Sequence, residues 1–99
     1  YSISKAGIDM LTKVLASELG QHNIQVNAIA PGLIKTKFST VLWQNEDLRR
    51  HQENLTPLGR IGLPEDVVGA ALFFASTASD WVTGTVMLVD GGAMVAAGL

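Results

Sequence analysis

Two short stretches set what this chain can fold into. "NIQVNAIA" (residues 23–30) and "TVMLVD" (residues 85–90) are β-favouring apolar runs, and the second is continuous rather than alternating. Runs of this kind belong to strands buried on both faces, the habit of parallel sheets whose connections are helices. A parallel pair cannot cover its own edges, and two strands alone are marginal in water. The chain is therefore expected to be part of a larger α/β sheet.

The segments around these runs read as helices and turns. From Tyr1 to Leu19, one apolar stripe carries Ile8, Leu11, Leu15 and Leu19 and a second carries Ile3, Met10 and Val14, so the helix should be covered on two sides. Gly20 offers a left-handed stop. Pro31 and Gly32 end the first strand. Residues 38–52 mix apolar and charged side chains and suggest a broken or mobile helix. Pro57, Gly59 and Gly62 then mark a loop. Pro64 at a first helical position, with Glu65 and Asp66 in the first turn, starts a second firm helix reaching Ala75 or Ser76. The tail after Gly92 has no strong pattern. Two or three helices and two strands are expected.

Composition narrows the function classes. With 99 residues only one core is expected. Apolar residues make up 47% against 16% charged, which suits a chain covered by partners on more than one side. A net charge of −2 with scattered Lys and Arg gives no footprint for nucleic acid or an anionic membrane. There is no cysteine, hence no disulfide framework or thiolate metal site, and His22 and His51 lie in unrelated contexts, so no metal is expected. The apolar run from Val67 to Ala75 is about half a membrane span. No signal peptide is visible, and the cytoplasm is the expected compartment.

Tyr1 and Lys5 carry the first chemical suggestion. On a helix, positions i and i+4 share a face, so a phenol and an ammonium sit side by side. A phenol titrates near about 10 and is a poor donor at neutral pH. A neighbouring cation lowers that value toward the range where the group can give and take a proton at a carbonyl or alcohol oxygen. Alone, the spacing is common on ordinary helices.

It does not stand alone. "YSISKAG", "VNAIAPGLIKT", "RIGLPEDV" and "VTGTVMLVDGG" follow one another in the order and spacing of the short-chain dehydrogenase/reductase family, which the chain resembles over essentially its whole length. Within that family "APGLIKTKFS" followed by "LW" is most similar to the member-4 type, an NADP-preferring carbonyl reductase. The resemblance implies a C-terminal portion of a Rossmann-like doubly wound parallel sheet, with residues 1–99 forming part of a single NAD(P)-binding domain. It implies an oxidoreductase moving a hydride between NADP or NAD and a carbonyl or secondary alcohol. Tyr1 would be the general acid or base and would also touch the cofactor, while Lys5 would assist it and hold the nicotinamide ribose. Pro31, Gly32, Ile34 and Thr36 would line the nicotinamide, the backbone at Ile34 and the hydroxyl of Thr36 bonding the cofactor. Gly32 permits close backbone approach. A plain strand-ending turn, with Thr36 as a helix N-cap, is the other reading of those residues.

Phe38, Leu42, Trp43 and Leu55 suggest an apolar lid over a lipophilic carbonyl compound, or ordinary packing. Asp90, Gly91 and Gly92 end a strand where α/β sheets bind ligands, or form a structural turn. Lys35 and Lys37 read as solvated, and Asn27 as a structural brace. The first helix, with its two apolar stripes, resembles the one that packs across a subunit interface in the family, and the resemblance implies a homodimer or homotetramer through it and through the second helix. The family's glycine-rich TGxxxGxG turn, NNAG stretch and catalytic serine are not among these residues, which leaves no helix N-terminus for the diphosphate. The nucleotide-binding half is thus expected upstream of Tyr1, and the 99 residues alone are expected to be inactive. Two other readings remain at this stage. One is a nucleotide-sugar epimerase or dehydratase, against which the short tail argues. The other is a truncated, non-catalytic chain that packs against full-length relatives.

Overall fold

The computed structural model describes residues 2–98, so Tyr1 lies outside them. The elements are α1 (Ser2–Leu19), β1 (Ala28–Pro31), α2 (Thr40–Gln44), α3 (Glu46–Leu55), α4 (Pro64–Ala75), β2 (Val86–Val89) and α5 (Ala93–Ala96). The backbone bonds from Ala28 N–H to Thr85 O and from Gly32 N–H to Val89 O keep one offset, so β1 and β2 are parallel neighbours. The chain divides into two compact units.

The first unit holds residues 2–29 and 70–87. Along α1 the buried positions are Thr12 and Ala16, at 5% and 6% exposure. Thr12 satisfies its hydroxyl on Ile8 O at 2.7 Å. Ala16 is small enough for Gly84 to pack against it. The stripes foreseen for α1 are present but uncovered: Ile3, Ile8, Met10, Leu11 and Val14 are all exposed. The left-handed residue that closes this helix is Asn23 at φ 58°, not Gly20, which continues into a 3₁₀ turn. Asn tolerates that conformation because its short polar side chain bonds locally.

Strand pairing starts later than the apolar pattern implied. Residues 25–27 lie ahead of β1, and side chains supply much of their bonding. Gln25 Nε2 donates to Ser79 O and to Val82 O, Val26 N–H donates to Thr83 Oγ1 at 3.0 Å, and Gly84 N–H donates to Val26 O at 2.8 Å. Asn27 donates to Val82 O and accepts from Thr85 N–H, both at 3.0 Å, a two-sided brace matching the structural role expected for it. Ser79, fully buried, gives its hydroxyl to the carbonyls of Phe74 and Ser76.

The second unit holds residues 30–69 and 88–98. The broken helix resolves into α2 and α3, and Asn45 causes the break. It is extended (ψ 117°), and its Oδ1 accepts from the N–H groups of Asp47 and Leu48, so it caps α3. The α4 start is as read, at Pro64, and Asp66 completes it. Its Oδ2 accepts from Leu63 N–H at 2.7 Å while Arg60 clasps both carboxylate oxygens at 2.7 and 2.9 Å. That is the reaching-back half of a capping box. The patternless tail forms α5, begun by Asp90, whose oxygens accept from Gly92 N–H and Met94 N–H.

The number of helices exceeds the expectation because α2 and α5 are short, at five and four residues, and are held by side-chain bonds rather than by periodicity. Both strands are half-buried rather than buried on both faces, save the exposed Pro31. Among the described residues the buried apolar side chains are Ala16, Ala70 and Met94.

The Arg60–Asp66 clasp carries a pH prediction. The Arg60 guanidinium, with help from Leu63 N–H, holds the Asp66 carboxyl down at about 2. A carboxyl lowered in the folded state contributes stability above its unfolded value, lost as pH falls through the folded one. The contribution of Asp66 is therefore complete above about pH 4 and fades between about pH 4 and pH 2. Because the pair is partly exposed, the effect is modest and shrinks with salt. An NMR titration of the Asp66 carboxyl should find its midpoint near 2. A midpoint in the ordinary Asp range would refute the clasp.

Candidate functional site

The site residues foreseen in the sequence fall in both units. Lys5 lies in the first turns of α1, half-buried, and makes no ion pair among the described residues. Its partner in the proton-transfer reading, Tyr1, lies outside the described residues. Pro31, Gly32, Ile34 and Thr36 all lie in the second unit, in the segment leaving β1.

Gly32 has a packing partner within the chain. A Cβ at Gly32 would lie 2.8 Å from Asp90 Cβ and 2.9 Å from Asp90 Cα. The close approach it permits is thus to the end of β2, and a ligand is not needed to explain a glycine there. Pro31 is the last residue of β1, where its missing N–H costs nothing to the ladder.

Ile34 is the more informative residue. It forms an isolated parallel bridge with Gly62, made by Gly62 N–H to Leu33 O at 3.0 Å and Lys35 N–H to Gly62 O at 2.8 Å. A parallel bridge of this kind engages the residues flanking Ile34, so the N–H and C=O of Ile34 itself turn to the opposite edge. There the C=O accepts from the Ser39 hydroxyl at 2.5 Å. The N–H has no acceptor among the described residues. An unpaired amide beside an engaged carbonyl is a ready donor for a carboxamide or similar oxygen.

Thr36 stands two residues on. Its N–H donates to Ser39 Oγ at 2.9 Å, its hydroxyl oxygen accepts from Ser39 N–H at 3.3 Å, and its C=O accepts from Trp43 Nε1–H at 2.9 Å. The Ser39 proton is committed to Ile34, so in the 3.3 Å contact between the two hydroxyls Thr36 is the donor, and this long bond is the one a ligand oxygen would replace. Thr36 does not cap a helix; Ser39 occupies the N-cap position of α2. These two donors fit the polar groups of a nicotinamide half-cofactor.

A cavity of about 520 Å³ lies in the same unit, with Ile34, Thr56, Arg60, Asp66, Leu88 and Asp90 in its wall. Arg60 and Asp66 neutralise each other, and both Asp90 oxygens are engaged by backbone N–H groups. The charged side chains of the wall thus have their hydrogen-bonding partners within the chain. Of the lid residues, Phe38, Leu42 and Leu55 are exposed, while Trp43 is half-buried. Trp43 and Ser39 are the residues whose part was not foreseen. Asn27, Asp90, Gly91 and Gly92 have structural partners that account for them. Among the described residues no cluster of His, Cys, Asp and Glu can hold a metal ion, and no helix is long and apolar enough to cross a membrane.

Known proteins resemble the chain in sequence and in fold. The family model described as enoyl-(acyl carrier protein) reductase matches residues 1–94. A 3β-hydroxysteroid dehydrogenase 1 of Eggerthella lenta is 47% identical over 92 residues, 93% of this chain and 35% of the relative. Dehydrogenase/reductase SDR family member 4 of Pongo abelii is 41% identical over 92 residues, 93% of this chain and 33% of its own length. The member-4 likeness is thus present, alongside higher identity to an enzyme named for another substrate.

Among solved structures, 4-hydroxyisoleucine dehydrogenase complexed with NADH superposes with a TM-score of 0.90 at 34% identity, covering 96% of this chain and 39% of that one. A gluconate 5-dehydrogenase from Burkholderia cenocepacia in complex with NADP and tartrate gives 0.87 at 36% identity, covering 96% and 37%. The chain spans roughly a third of the length of these curated relatives. The Rossmann-like α/β fold of these neighbours extends to it, and the chain belongs to the short-chain dehydrogenase/reductase family.

Proposed function

We propose that these residues supply the proton-transfer and nicotinamide-contacting share of an NAD(P)-dependent oxidoreductase acting on a carbonyl compound or secondary alcohol. The observation that carries the reading is the Ile34 edge: an N–H without an acceptor among the described residues, beside a C=O locked by Ser39, in a chain of this family. Ile34 N–H and the Thr36 hydroxyl hold the carboxamide side of the cofactor, and Lys5 holds its ribose hydroxyls. A bound nicotinamide supplies or accepts the hydride. Tyr1 gives its phenolic proton to the substrate oxygen in reduction and takes it back in oxidation, and the Lys5 ammonium keeps that phenol acidic enough to work near neutral pH.

These residues form the C-terminal share of one nucleotide-binding domain, and by themselves they lack a glycine-rich diphosphate turn. The exposed apolar residues of α1, with Val68 and Leu72 of α4, suit the interfaces of a homodimer or homotetramer in the cytoplasm. The same exposed faces favour a second reading, a non-catalytic chain that only packs against relatives. NADPH and NADH fluorescence titrations of the protein as its organism makes it separate the two. Binding with turnover of ketones or aldehydes supports the enzyme, and failure to bind either dinucleotide leaves the packing chain.

Lys5→Met tests the lysine separately. Without the ammonium the phenol titrates closer to its ordinary value of about 10, so the rising limb of the oxidation pH–rate profile should move to higher pH by about one unit or more. A profile that stays in place would remove Lys5 from the proton step.

A further inference from the structure

We propose that Ser39 is the positioning residue of the loop that carries Ile34 and Thr36, with Trp43 as its second tether. The proposal rests on the nicotinamide-contacting reading of that loop. Ser39 stands where a serine ordinarily caps a helix by accepting from an N–H of the first turn. In α2 it makes no such bond. Its hydroxyl turns back along the chain, donating to Ile34 O at 2.5 Å and accepting from Thr36 N–H at 2.9 Å. Both capacities of the hydroxyl thus serve the loop and none serves the helix.

The consequence for Ile34 is geometric. Its N–H and C=O share one edge, opposite Gly62. Gly62 holds the peptide planes on both sides of Ile34, through Leu33 O and Lys35 N–H, and Ser39 holds the second of them from the opposite edge, so the segment running on to Thr36 is clamped between the two. Without the Ser39 hydroxyl, the Ile34 carbonyl and the Thr36 N–H lose their side-chain partner, and the stretch between them is held from one side only, by Lys35 N–H on Gly62 O.

Trp43 holds the same loop from one turn further along. Its Nε1–H donates to Thr36 O at 2.9 Å, and the Lys35 ammonium lies over its ring, 4.6 Å from the centroid. Thr40 adds a bond from its hydroxyl to Lys37 O at 2.6 Å. A five-residue helix does not persist on its own helical bonds, so α2 depends on the loop as much as the loop depends on α2. Loop and helix therefore move as one piece, and the apolar side chains near α2 keep a fixed relation to the Ile34 and Thr36 donors.

The test compares wild type, Ser39→Ala, Ser39→Thr and Trp43→Phe in the protein as its organism makes it. Dissociation constants are measured for the reduced dinucleotide that the wild type turns over, and for the matching ADP-ribose nucleotide, which lacks nicotinamide. Ser39→Ala is expected to weaken dinucleotide binding about three- to tenfold, the equivalent of one hydrogen bond, and to leave the ADP-ribose nucleotide within about twofold. Ser39→Thr restores the hydroxyl and most of the affinity. Trp43→Phe keeps a ring under Lys35 but loses the Nε1–H bond, and should show the same selective loss at smaller size. Should Ser39→Ala fail to fold, the Trp43→Phe result decides.

Equal weakening of both nucleotides in the variants would mean a general structural role and would overturn the proposal. So would dinucleotide binding at wild-type strength in Ser39→Ala, with the functional reading left standing. A wild type that binds neither reduced dinucleotide removes the functional reading and this proposal together.

Discussion

Replacing Tyr1 with phenylalanine should lower kcat for carbonyl reduction by about 10²- to 10⁴-fold, the usual worth of a positioned general acid. The phenyl ring keeps the size and apolar body of tyrosine but has no proton to deliver as the substrate oxygen gains charge. The loss therefore falls on an interaction made in the transition state, and kcat and kcat/KM should drop together while the substrate KM moves little. Cofactor affinity should fall only by the share of one hydrogen bond, about two- to tenfold. Lys5→Met acts differently, because it leaves the phenol in place and changes its acidity, so part of its loss should return at high pH while Tyr1→Phe stays inactive throughout. A Tyr1→Phe enzyme retaining more than a tenth of wild-type kcat would show that another group supplies the proton.

The sequence was most legible where a local rule acts alone. Pro64 with two acidic neighbours marked the start of α4, and the structure begins that helix at Pro64. The parallel pairing of two short strands followed from their apolar runs. Asn45 was readable and overlooked: an Asn followed by Glu46 and Asp47 is an N-cap signal, and it accounts for the break between α2 and α3. Gly20 was given the left-handed position that Asn23 holds, because the helix first tightens into a 3₁₀ turn that periodicity does not reveal.

What the sequence hides at the site has one physical origin. The packing partner of Gly32 is Asp90, nearly sixty positions away in sequence, and no local pattern announces such a contact. The action of Ser39 is local, but its partners are backbone atoms of Ile34 and Thr36, which every residue type possesses. Side chain to backbone bonds leave no spacing signature comparable to YxxxK. The free N–H of Ile34 is more hidden still, because it follows from a single bridge to Gly62. Motif resemblance located the loop; only the bonding pattern says which of its atoms remain available.

Gly92→Ala should destabilise the Asp90–Gly92 turn by about 2–5 kcal/mol. Two costs combine there. Gly92 has φ 91°, and a Cβ on it would meet the Pro57 ring with Cγ at 2.9 Å, Cβ at 3.2 Å and Cδ at 3.3 Å. A proline ring cannot swing aside as a long side chain can, and the loop bearing it is tied to the same turn by Leu58 N–H on Gly91 O at 3.1 Å. Gly59 provides the control, since its φ of 76° is also left-handed but nothing lies within 4 Å of the added methyl. Gly59→Ala should therefore cost only the backbone term, about 1–2 kcal/mol. Adding Pro57→Ala to Gly92→Ala removes Cγ and Cδ from the clash, and a double-mutant cycle by denaturant unfolding should return about 1 kcal/mol of coupling. If Gly92→Ala and Gly59→Ala cost the same and the cycle shows no coupling, the turn does not bear on the Pro57 loop. Gly92 would then be required by its backbone conformation alone.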